Sequence, residues 1–217
     1  MMRILVDMDD TLCDWMGAST TRVTELGYPV SRDPRAYPVS IVLSEDYGLR
    51  ATTLLYRAMR EPGFFINLKP HRETVEMVRY LDLLGFDVRI CTMPLPYDKE
   101  DWCKAEKRAW VATHLGHKFV DKMIFSSRKY EVAGLYLIDD SPATVHYAEQ
   151  YNPQWKPILV DHLYNRDLFC ERRVSLETMQ RDMLEILSRD GVLSQDCTTL
   201  TPSISELQLA LAGELAV

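Results

Sequence analysis

The stretch that decides the fold of this chain is Ile4-Leu5-Val6-Asp7-Met8-Asp9-Asp10-Thr11. A short apolar run that stops at an acid is typical of a buried parallel strand ending in a loop, because such strands are covered on both faces. The backbone bends where the strand ends, so carboxylates at positions i and i+2 can point into one cleft. We therefore expect Asp7 and Asp9 to lie together at the carboxyl end of a parallel strand.

Further apolar runs of the same kind follow along the chain, separated mainly by helical patterns. The runs are residues 88–91, 122–125, 135–138 and 157–160, and the helical patterns are residues 74–84, 101–115 and 142–150. Ser141 and Pro142 are typical of an N-cap and a first helical residue. Alternation of strand and helix predicts an α/β fold, with a doubly wound parallel five-stranded sheet covered by helices on both faces.

The connection that follows the first strand is too long for a simple crossover. A βαβ unit needs about 30 residues, whereas Thr92, at the end of the second predicted strand, comes 85 positions after Asp7. We therefore predict a catalytic core of residues 1–14 and 70–188, with residues 15–69 inserted as a small helical cap. An insertion at this point would hang over the carboxyl ends of the strands, where ligands bind in open α/β sheets, and would act as a lid.

Residues 189–217 have a different character and are predicted to form a C-terminal tail. A polar segment is followed by the capping-box pattern of residues 203–206 and by a stripe of Ile204, Leu207, Leu211 and Leu215. This pattern predicts an amphipathic helix. The favoured interpretation is a helix docked on its own domain, and the alternative is a partner-binding or homodimer helix.

Composition restricts the classes of function. The net charge is −7, with 32 acids against 25 Lys and Arg, which argues against a protein that grips long nucleic acid. No apolar run approaches the length of about 18 residues that a membrane span needs, and the N-terminal apolar run is too short for a signal peptide. Five cysteines at scattered spacings suit a reducing compartment. We expect a cytoplasmic protein with a small-molecule substrate.

A second pair of acids, Asp139-Asp140, follows the fourth predicted strand. Singly, such acids are often solvated loop residues or helix caps. Four carboxylates at one edge of a sheet would repel one another unless a cation lies among them. Oxygen ligands without His or Cys favour Mg²⁺. The sequence therefore predicts a magnesium site formed by Asp7, Asp9, Asp139 and Asp140.

Two more residues at strand ends suit the binding of phosphate. Thr92 closes the second predicted strand, where its hydroxyl and the loop amides could hold a phosphate oxygen. Lys129 lies after the third predicted strand, ten residues before Asp139, and could neutralise phosphate charge. Each residue alone is unremarkable, but together with the two acid pairs they predict a phosphate site.

These residues together resemble the four motifs of the haloacid dehalogenase-like phosphohydrolases. More closely, residues 3–187 are similar to the 5'(3')-deoxyribonucleotidase family. The segments that carry the similarity are Asp7-Met8-Asp9, Ile90-Cys91-Thr92-x-Pro94-Leu95, Glu106-Lys107-x-x-Trp110-Val111 with His114-Leu115-Gly116, Leu137-Ile138-Asp139-Asp140, Phe64-Phe65 before Leu68-x-Pro70, and Tyr164-Asn165. The resemblance implies a helical cap after the first motif and hydrolysis of nucleoside monophosphates, preferably deoxy ones.

A mechanism follows as a hypothesis. Asp7 attacks phosphorus and forms an aspartyl-phosphate, while Asp9 protonates the leaving oxygen and then activates water. Thr92 and Lys129 hold the phosphate oxygens around which charge gathers. The magnesium ion offsets the charge between the nucleophile and the phosphate.

The resemblance also suggests substrate contacts within the cap. Trp15 falls where the family has an aromatic residue against the base, and residues 37–39 fall on a segment that shapes the base and sugar pocket. The assigned substrate-binding residues are Trp15, Tyr37, Val39 and Phe65, and Met93 is assigned to the phosphate loop. For Phe65, packing in the core of the cap is the favoured alternative, and for Trp15 core packing and contact with the base are equally favoured. The chain departs from the family pattern at Asp10 for glycine, Met93 for serine, Pro38 for an aromatic residue and Ser127 for arginine.

Three functional interpretations remain at this level. The first is a magnesium-dependent phosphomonoesterase acting on (deoxy)nucleoside monophosphates. The second is a phosphatase for another small phosphomonoester or for a nucleic-acid end. The third is a catalytically idle protein of the same fold that binds nucleotide or a partner.

Overall fold

A computed structural model describes residues 1–30, 37–95 and 101–193 of the chain. The described residues contain one sheet of parallel strands in the order β3-β2-β1-β4-β5-β6. The strands are β1 (Arg3–Val6), β2 (Asp87–Thr92), β3 (Ile124–Phe125), β4 (Tyr136–Asp139), β5 (Lys156–Val160) and β6 (Arg173–Val174). The parallel α/β fold is therefore confirmed, with six strands described instead of five.

The missed strand and a shortened strand both lie at edges of the sheet. β6 has two residues, of which only Val174 is apolar and buried, so its pattern is too short to register as a strand. It exists because its backbone pairs with β5, with Val160 opposite Val174. At the other edge, the predicted strand over residues 122–125 is reduced to β3, whose two residues are only half-buried.

Helices fill the connections between the strands. They are α1 (Trp15–Glu25), α2 (Val39–Tyr47), α3 (Leu49–Met59), α4 (Arg72–Leu83), α5 (Trp102–His114), α6 (His117–Val120), α7 (Pro142–Tyr151) and α8 (Met179–Arg189). The predicted helices over residues 74–84, 101–115 and 142–150 correspond to α4, α5 and α7. Ser141 caps α7 as expected, because its hydroxyl accepts a hydrogen bond from Ala143 N at 3.3 Å.

The centre of the sheet sets the position of the acids. Ile4, Leu5 and Val6 are fully buried in β1, between β2 and β4. Val6 pairs with Ile138, and Asp7 N donates to Ile138 O at 2.8 Å. The first residue beyond β1 therefore lies level with the last residue of β4, as expected for parallel strands that end at one edge.

Three helices of the inserted segment lie between β1 and α4 in the sequence. α2 packs against α3, and α1 contacts α3, around buried Val23, Leu43 and Leu55. Residues 1–180 cluster as one compact unit, so the division into core and cap stays a prediction.

The second compact unit is Arg181–Val217, of which the structure describes residues 181–193. This part contains most of α8 and the turn that follows it. The predicted amphipathic helix with Ile204, Leu207, Leu211 and Leu215 lies outside the described residues. No helix within the described ranges has the length and hydropathy required to cross a bilayer.

Candidate active site

The carboxylates of Asp7, Asp139 and Asp140 meet at the carboxyl edge of the sheet. Each offers an oxygen within 4.8 Å of the others, and all three residues are buried. They come together because β1 and β4 are neighbours in parallel register and end at the same level. The sequence predicted that the pairs Asp7/Asp9 and Asp139/Asp140 would converge. Three of these four acids, Asp7, Asp139 and Asp140, form the cluster.

Lys129 neutralises part of this negative charge. Its ammonium lies 2.7 Å from Asp139 Oδ2, as a hydrogen bond, and 2.7 Å from Asp7 Oδ1, as an ion pair without hydrogen-bond geometry. Burial opposes the charged form, but the charges of Asp139 and Asp7 outweigh it and raise the pKa of Lys129 well above its usual value. Lys129 is therefore a fixed cation at the acid cluster.

Asp140 is held by donors on both sides. Thr11 Oγ1 donates to Asp140 Oδ1 at 3.1 Å, and the Tyr164 hydroxyl donates to Asp140 Oδ2 at 2.7 Å. Asn165 Nδ2 donates to the Asp140 carbonyl oxygen at 2.8 Å. Both the side chain and the backbone of this acid are thereby oriented, and hydroxyl donors leave its negative charge uncompensated.

Asp9 has a partner that the sequence reasoning did not assign. Lys107 of α5 is completely buried, and its ammonium donates to Asp9 Oδ2 at 2.7 Å, Thr92 Oγ1 at 2.8 Å and Met93 O at 3.0 Å. Burial raises the pKa of Asp9, and the Lys107 charge opposes that rise. For Lys107 itself, burial opposes the charged form, but the Asp9 charge prevails and raises its pKa. The result is an ion pair beside Asp7 in which Lys107 is completely buried and Asp9 is partly buried.

The signal for Lys107 was present in the helix pattern. Buried residues of α5 recur at helical spacing, and the stripe contains two charged residues among apolar ones. The stripe is Cys103, Glu106, Lys107, Trp110 and Val111. Charged residues are seldom buried without a partner, so this pattern indicates polar contacts inside the protein, although it does not identify the partners.

Glu106 holds the segment that follows α3. Its carboxylate accepts hydrogen bonds from the backbone N–H groups of Gly63, Phe65 (2.9 Å) and Ile66 (3.3 Å). A buried carboxylate that accepts several backbone N–H groups is a strong local anchor. The contact places Phe65 beside the Lys107 ammonium, which lies 5.0 Å from the centre of its ring.

Replacement of Glu106 by Gln is expected to lower the free energy of unfolding by about 2 kcal/mol, because the amide nitrogen cannot accept a hydrogen bond and a buried N–H group loses its acceptor. Urea denaturation of wild type and variant measures the change. The matched control is Glu76→Gln on the exposed face of α4, expected to stay within about 0.5 kcal/mol of wild type. Equal stabilities of the two variants would contradict this account of Glu106.

The acid cluster suits an oxygen-coordinated cation. Burial is the main cause that raises the pKa of Asp139 and of Asp140, and neighbouring carboxylates add to it. Among the described residues, Asp7 Oδ1 and Asp9 Oδ1 are buried oxygens without a hydrogen bond. Carboxylate oxygens without His or Cys are the ligands that Mg²⁺ prefers. The residues present therefore fit a hard divalent cation.

Asp10 has a left-handed backbone, with φ of +54°, which explains why glycine suits this position. Its carboxylate accepts a hydrogen bond from Met16 N at 2.7 Å, and His162 Nε2 donates to its carbonyl oxygen at 2.7 Å. Burial raises the pKa of Asp10 to about 8, although the Met16 hydrogen bond opposes this rise. The aspartate is accommodated because its side chain serves the first turn of α1.

A cavity of about 320 Å³ opens above the acids. Of the residues that sequence reasoning assigned, Asp7, Asp9, Asp139, Asp140, Lys129, Trp15, Tyr37, Phe65 and Met93 line it. Two of the assigned residues are not among the lining residues. Val39 is buried at the start of α2, and the Thr92 hydroxyl is buried and accepts the Lys107 hydrogen bond.

The other lining residues were not assigned as site residues, although Pro38 belongs to the segment of residues 37–39 that was expected to shape the base and sugar pocket. They are Asp10, Pro38, Ser40, Tyr56, Pro94, Leu95, Lys107, Ser126, Ser127, Ser141, Ala143, Thr144 and Tyr147. Ala143, Thr144 and Tyr147 share one face of α7, so this helix forms a wall of the cavity. The order of helices around the sheet decides which face meets the cavity, and a single sequence does not show that order.

The fold, together with the cluster of acids at the carboxyl edge of the sheet, defines a class of protein. A "predicted phosphatase" from Clostridium acetobutylicum superposes with a TM-score of 0.59 and 15% identity, covering 85% of this chain and 98% of that chain. A haloacid dehalogenase-family hydrolase from Deinococcus radiodurans, solved with phosphate and sodium, gives 0.54 and 12%, covering 88% and 97%. The chain thus has the fold of the haloacid dehalogenase-like hydrolases.

Sequence comparison identifies the family within this class. Residues 1–189 match the family model described as 5' nucleotidase, deoxy (pyrimidine), cytosolic type C protein. The human cytosolic-type 5'(3')-deoxyribonucleotidase is 36% identical over 180 residues, covering 77% of this chain and 83% of that protein. The mouse mitochondrial enzyme is 33% identical over 175 residues, covering 77% and 76%. The chain belongs to the 5'(3')-deoxyribonucleotidase family of phosphoric monoester hydrolases.

Proposed function

We propose that this protein hydrolyses (deoxy)nucleoside monophosphates to nucleoside and phosphate through an aspartyl-phosphate on Asp7. The observation that carries the proposal is the juxtaposition of Asp7, Lys129 and the Asp139-Asp140 pair at the floor of a cavity with aromatic walls. The names of the related human and mouse enzymes support a deoxynucleotide as the substrate.

We infer Mg²⁺ as the cofactor. Asp7, Asp139, Asp140 and Asp9, the last through its carbonyl, would hold it, and the convergence of the three buried carboxylates of Asp7, Asp139 and Asp140 supports this assignment. When bound, the ion offsets negative charge between the nucleophile and the phosphate.

Asp7 and Asp9 divide the covalent chemistry between them. The Asp7 carboxylate attacks phosphorus, and the bond from phosphorus to the nucleoside oxygen breaks. Asp9 gives a proton to that oxygen and then takes a proton from the water that cleaves the aspartyl-phosphate. The Lys107 contact supports this role, because it fixes Asp9 Oδ2 and leaves Oδ1 unpaired for the reacting group.

Phosphate oxygens would be held by Lys129, Thr92 and the Met93 loop. The Lys129 ammonium lies at the acid cluster, where transferred phosphate would develop charge. The Thr92 hydroxyl accepts from Lys107 and could in turn donate to a phosphate oxygen, although in this structure it is buried and does not line the cavity. Met93 lines the cavity, and its position directly after Thr92 supports a contact through its backbone N–H group.

Residues 15–69 would act as a cap that supplies the substrate pocket. The positions of Trp15, Tyr37 and Phe65 in the cavity wall support contact with the base and sugar. Val39 would act indirectly, because it is buried and begins the helix that follows Tyr37. Closure of such a cap would exclude bulk water during the first step, the attack of Asp7 on phosphorus.

The setting of the enzyme is also part of the proposal. The human cytosolic-type relative supports a cytoplasmic location, although the family includes mitochondrial enzymes as well. The acidic charge supports a small nucleotide over long nucleic acid as the substrate. A homodimer stays an open alternative that analytical ultracentrifugation would decide.

Removal of Mg²⁺ and a substrate panel test the function together. We expect phosphate release from deoxynucleoside 5'- and 3'-monophosphates in the presence of Mg²⁺, and at least about a hundredfold less after chelation, because the acid cluster then keeps its repulsion. Restoration by added Mg²⁺ is the control. Faster release from a sugar phosphate or from a 5'-phosphorylated oligonucleotide would contradict the nucleotide assignment, and no release from any phosphomonoester would favour an idle binding protein.

A further inference from the structure

Three aromatic rings form a stack beside the acid cluster. The rings of His162 and Tyr164 have centroids 5.0 Å apart and planes within 5° of parallel, and Tyr164 and Tyr37 lie 4.5 Å apart within 18°. His162 and Tyr164 belong to the loop and 3₁₀ turn that follow β5, whereas Tyr37 belongs to the inserted segment, just before α2. The stack therefore joins the inserted segment to the sheet.

The middle ring of this stack has its hydroxyl on an acid of the cluster. Tyr164 donates to Asp140 Oδ2 at 2.7 Å, and Thr11 donates to the other oxygen at 3.1 Å. The Tyr164 ring lies between two other rings, so its side chain is already ordered before an ion binds. Ion binding therefore costs no further side-chain entropy at Tyr164. Asp140 thereby keeps one carboxylate orientation, which a rigid octahedral cation such as Mg²⁺ requires.

His162 of the stack and Asn165, which follows Tyr164, attach the stack to both acid loops. His162 Nε2 donates to the Asp10 carbonyl oxygen at 2.7 Å, in the loop after β1. Asn165, next to Tyr164, donates to the Asp140 and Val160 carbonyl oxygens, each at 2.8 Å. Tyr164 is thus fixed relative to the loops that carry the first and second acid pairs, and a shift of its ring would move its bond to Asp140.

We propose that Tyr164 is a positioning residue for Asp140, and that the stacking of Tyr37 on Tyr164 makes magnesium binding depend on the seating of the inserted segment. The inference rests on the magnesium site of the proposed function and is independent of which phosphomonoester is hydrolysed. Hydrogen-bond partners behind a metal ligand set its orientation, and their loss weakens metal binding about 10- to 100-fold.

The test measures Mg²⁺ affinity by isothermal titration calorimetry without substrate. Tyr164→Phe keeps the ring and the stack but loses the hydroxyl, and we expect it to bind Mg²⁺ about tenfold more weakly. Tyr151→Phe is the matched control, because Tyr151 stacks on Tyr130 at 4.0 Å and lies half-exposed. We expect its affinity to equal that of wild type. Circular dichroism verifies that each variant is folded.

A second pair of variants tests the contribution of the inserted segment. Tyr37→Leu removes the stacked ring. We expect about a threefold loss of Mg²⁺ affinity, because a stacked aromatic pair contributes only about 0.5–1.5 kcal/mol. Tyr37→Phe keeps the ring and loses only the hydroxyl contact with Ser141, so its affinity is expected to stay closer to wild type than that of Tyr37→Leu. A general loss of structure would not separate these two variants in this way.

Each outcome decides one part of the proposal. Wild-type affinity in Tyr164→Phe, or a wild-type protein that binds no Mg²⁺, would overturn the role of Tyr164. Equal affinities of Tyr37→Leu and Tyr37→Phe would overturn the dependence on the inserted segment. A wild-type protein that shows the expected affinities but releases no phosphate from nucleotides would contradict the proposed function alone.

Discussion

Replacement of Asp7 by Asn is expected to lower turnover of deoxynucleoside monophosphates by at least about 10⁴-fold, because removal of a covalent nucleophile costs several orders of magnitude in rate. An amide cannot form the aspartyl-phosphate, and it contributes no charge to a cation at the acid cluster. Phosphate release at saturating Mg²⁺ measures the effect. Transfer of a radiolabelled phosphoryl group to the wild-type protein, but not to the variant, would identify the intermediate directly.

The control for this substitution is Asp46→Asn, on the exposed part of α2. It makes the same chemical change far from the acids in sequence, and we expect wild-type turnover. Thermal unfolding of Asp7→Asn separates a catalytic from a folding defect. The variant is expected to stay folded, because Lys129 retains its hydrogen bond to Asp139. Near-normal turnover by Asp7→Asn would refute the proposed mechanism.

Replacement of Lys107 by Met is expected to affect both stability and turnover. The ammonium is completely buried and bonded to Asp9, Thr92 and Met93. Loss of one partner costs about 3 kcal/mol when both charges are buried, and we expect about 2 kcal/mol here, because the remaining Asp9 side chain is 27% exposed. Turnover is expected to fall about a hundredfold, since Asp9 loses the contact that orients it for proton transfer.

Two comparisons make this experiment specific. Lys104→Met changes a lysine one turn earlier on α5, where it forms a surface ion pair with Asp101, and is expected to change stability by less than about 0.5 kcal/mol. The double variant Asp9→Asn with Lys107→Met removes both charges, so it should recover most of the stability while remaining inactive. If Lys107→Met were as stable and active as Lys104→Met, the buried pair would have no role.

The sequence predicted those parts of the fold that depend on local periodicity. The helical pattern predicted over residues 74–84 corresponds to α4, in which Val75, Val78 and Leu81 are buried and which ends just before Gly85. The edge strand β6 was missed because a two-residue strand has no detectable period. β6 exists through its pairing with β5, a contact that only the assembled sheet provides.

In the candidate site, too, some contacts were predictable from the sequence and others depended on tertiary packing. Asp7 and Asp139 were predicted to meet because both end central parallel strands, and strand register brings such residues to one level. Lys107 was not predicted to pair with Asp9, which is 98 positions away in the sequence. Its helix pattern indicated a buried charge but no partner, because the rotation of α5 about its axis depends on packing.

The amino-acid sequence by itself indicated that acids would gather at the carboxyl edge of a parallel sheet, since the apolar runs that stop at Asp7 and Asp139 put both residues at the ends of parallel strands. Only the tertiary structure decided what surrounds them. The contacts of Lys107, Glu106 and Tyr164 depend on which helix faces and loops approach the sheet edge. Such contacts join distant segments through space, and no local pattern of residues specifies them.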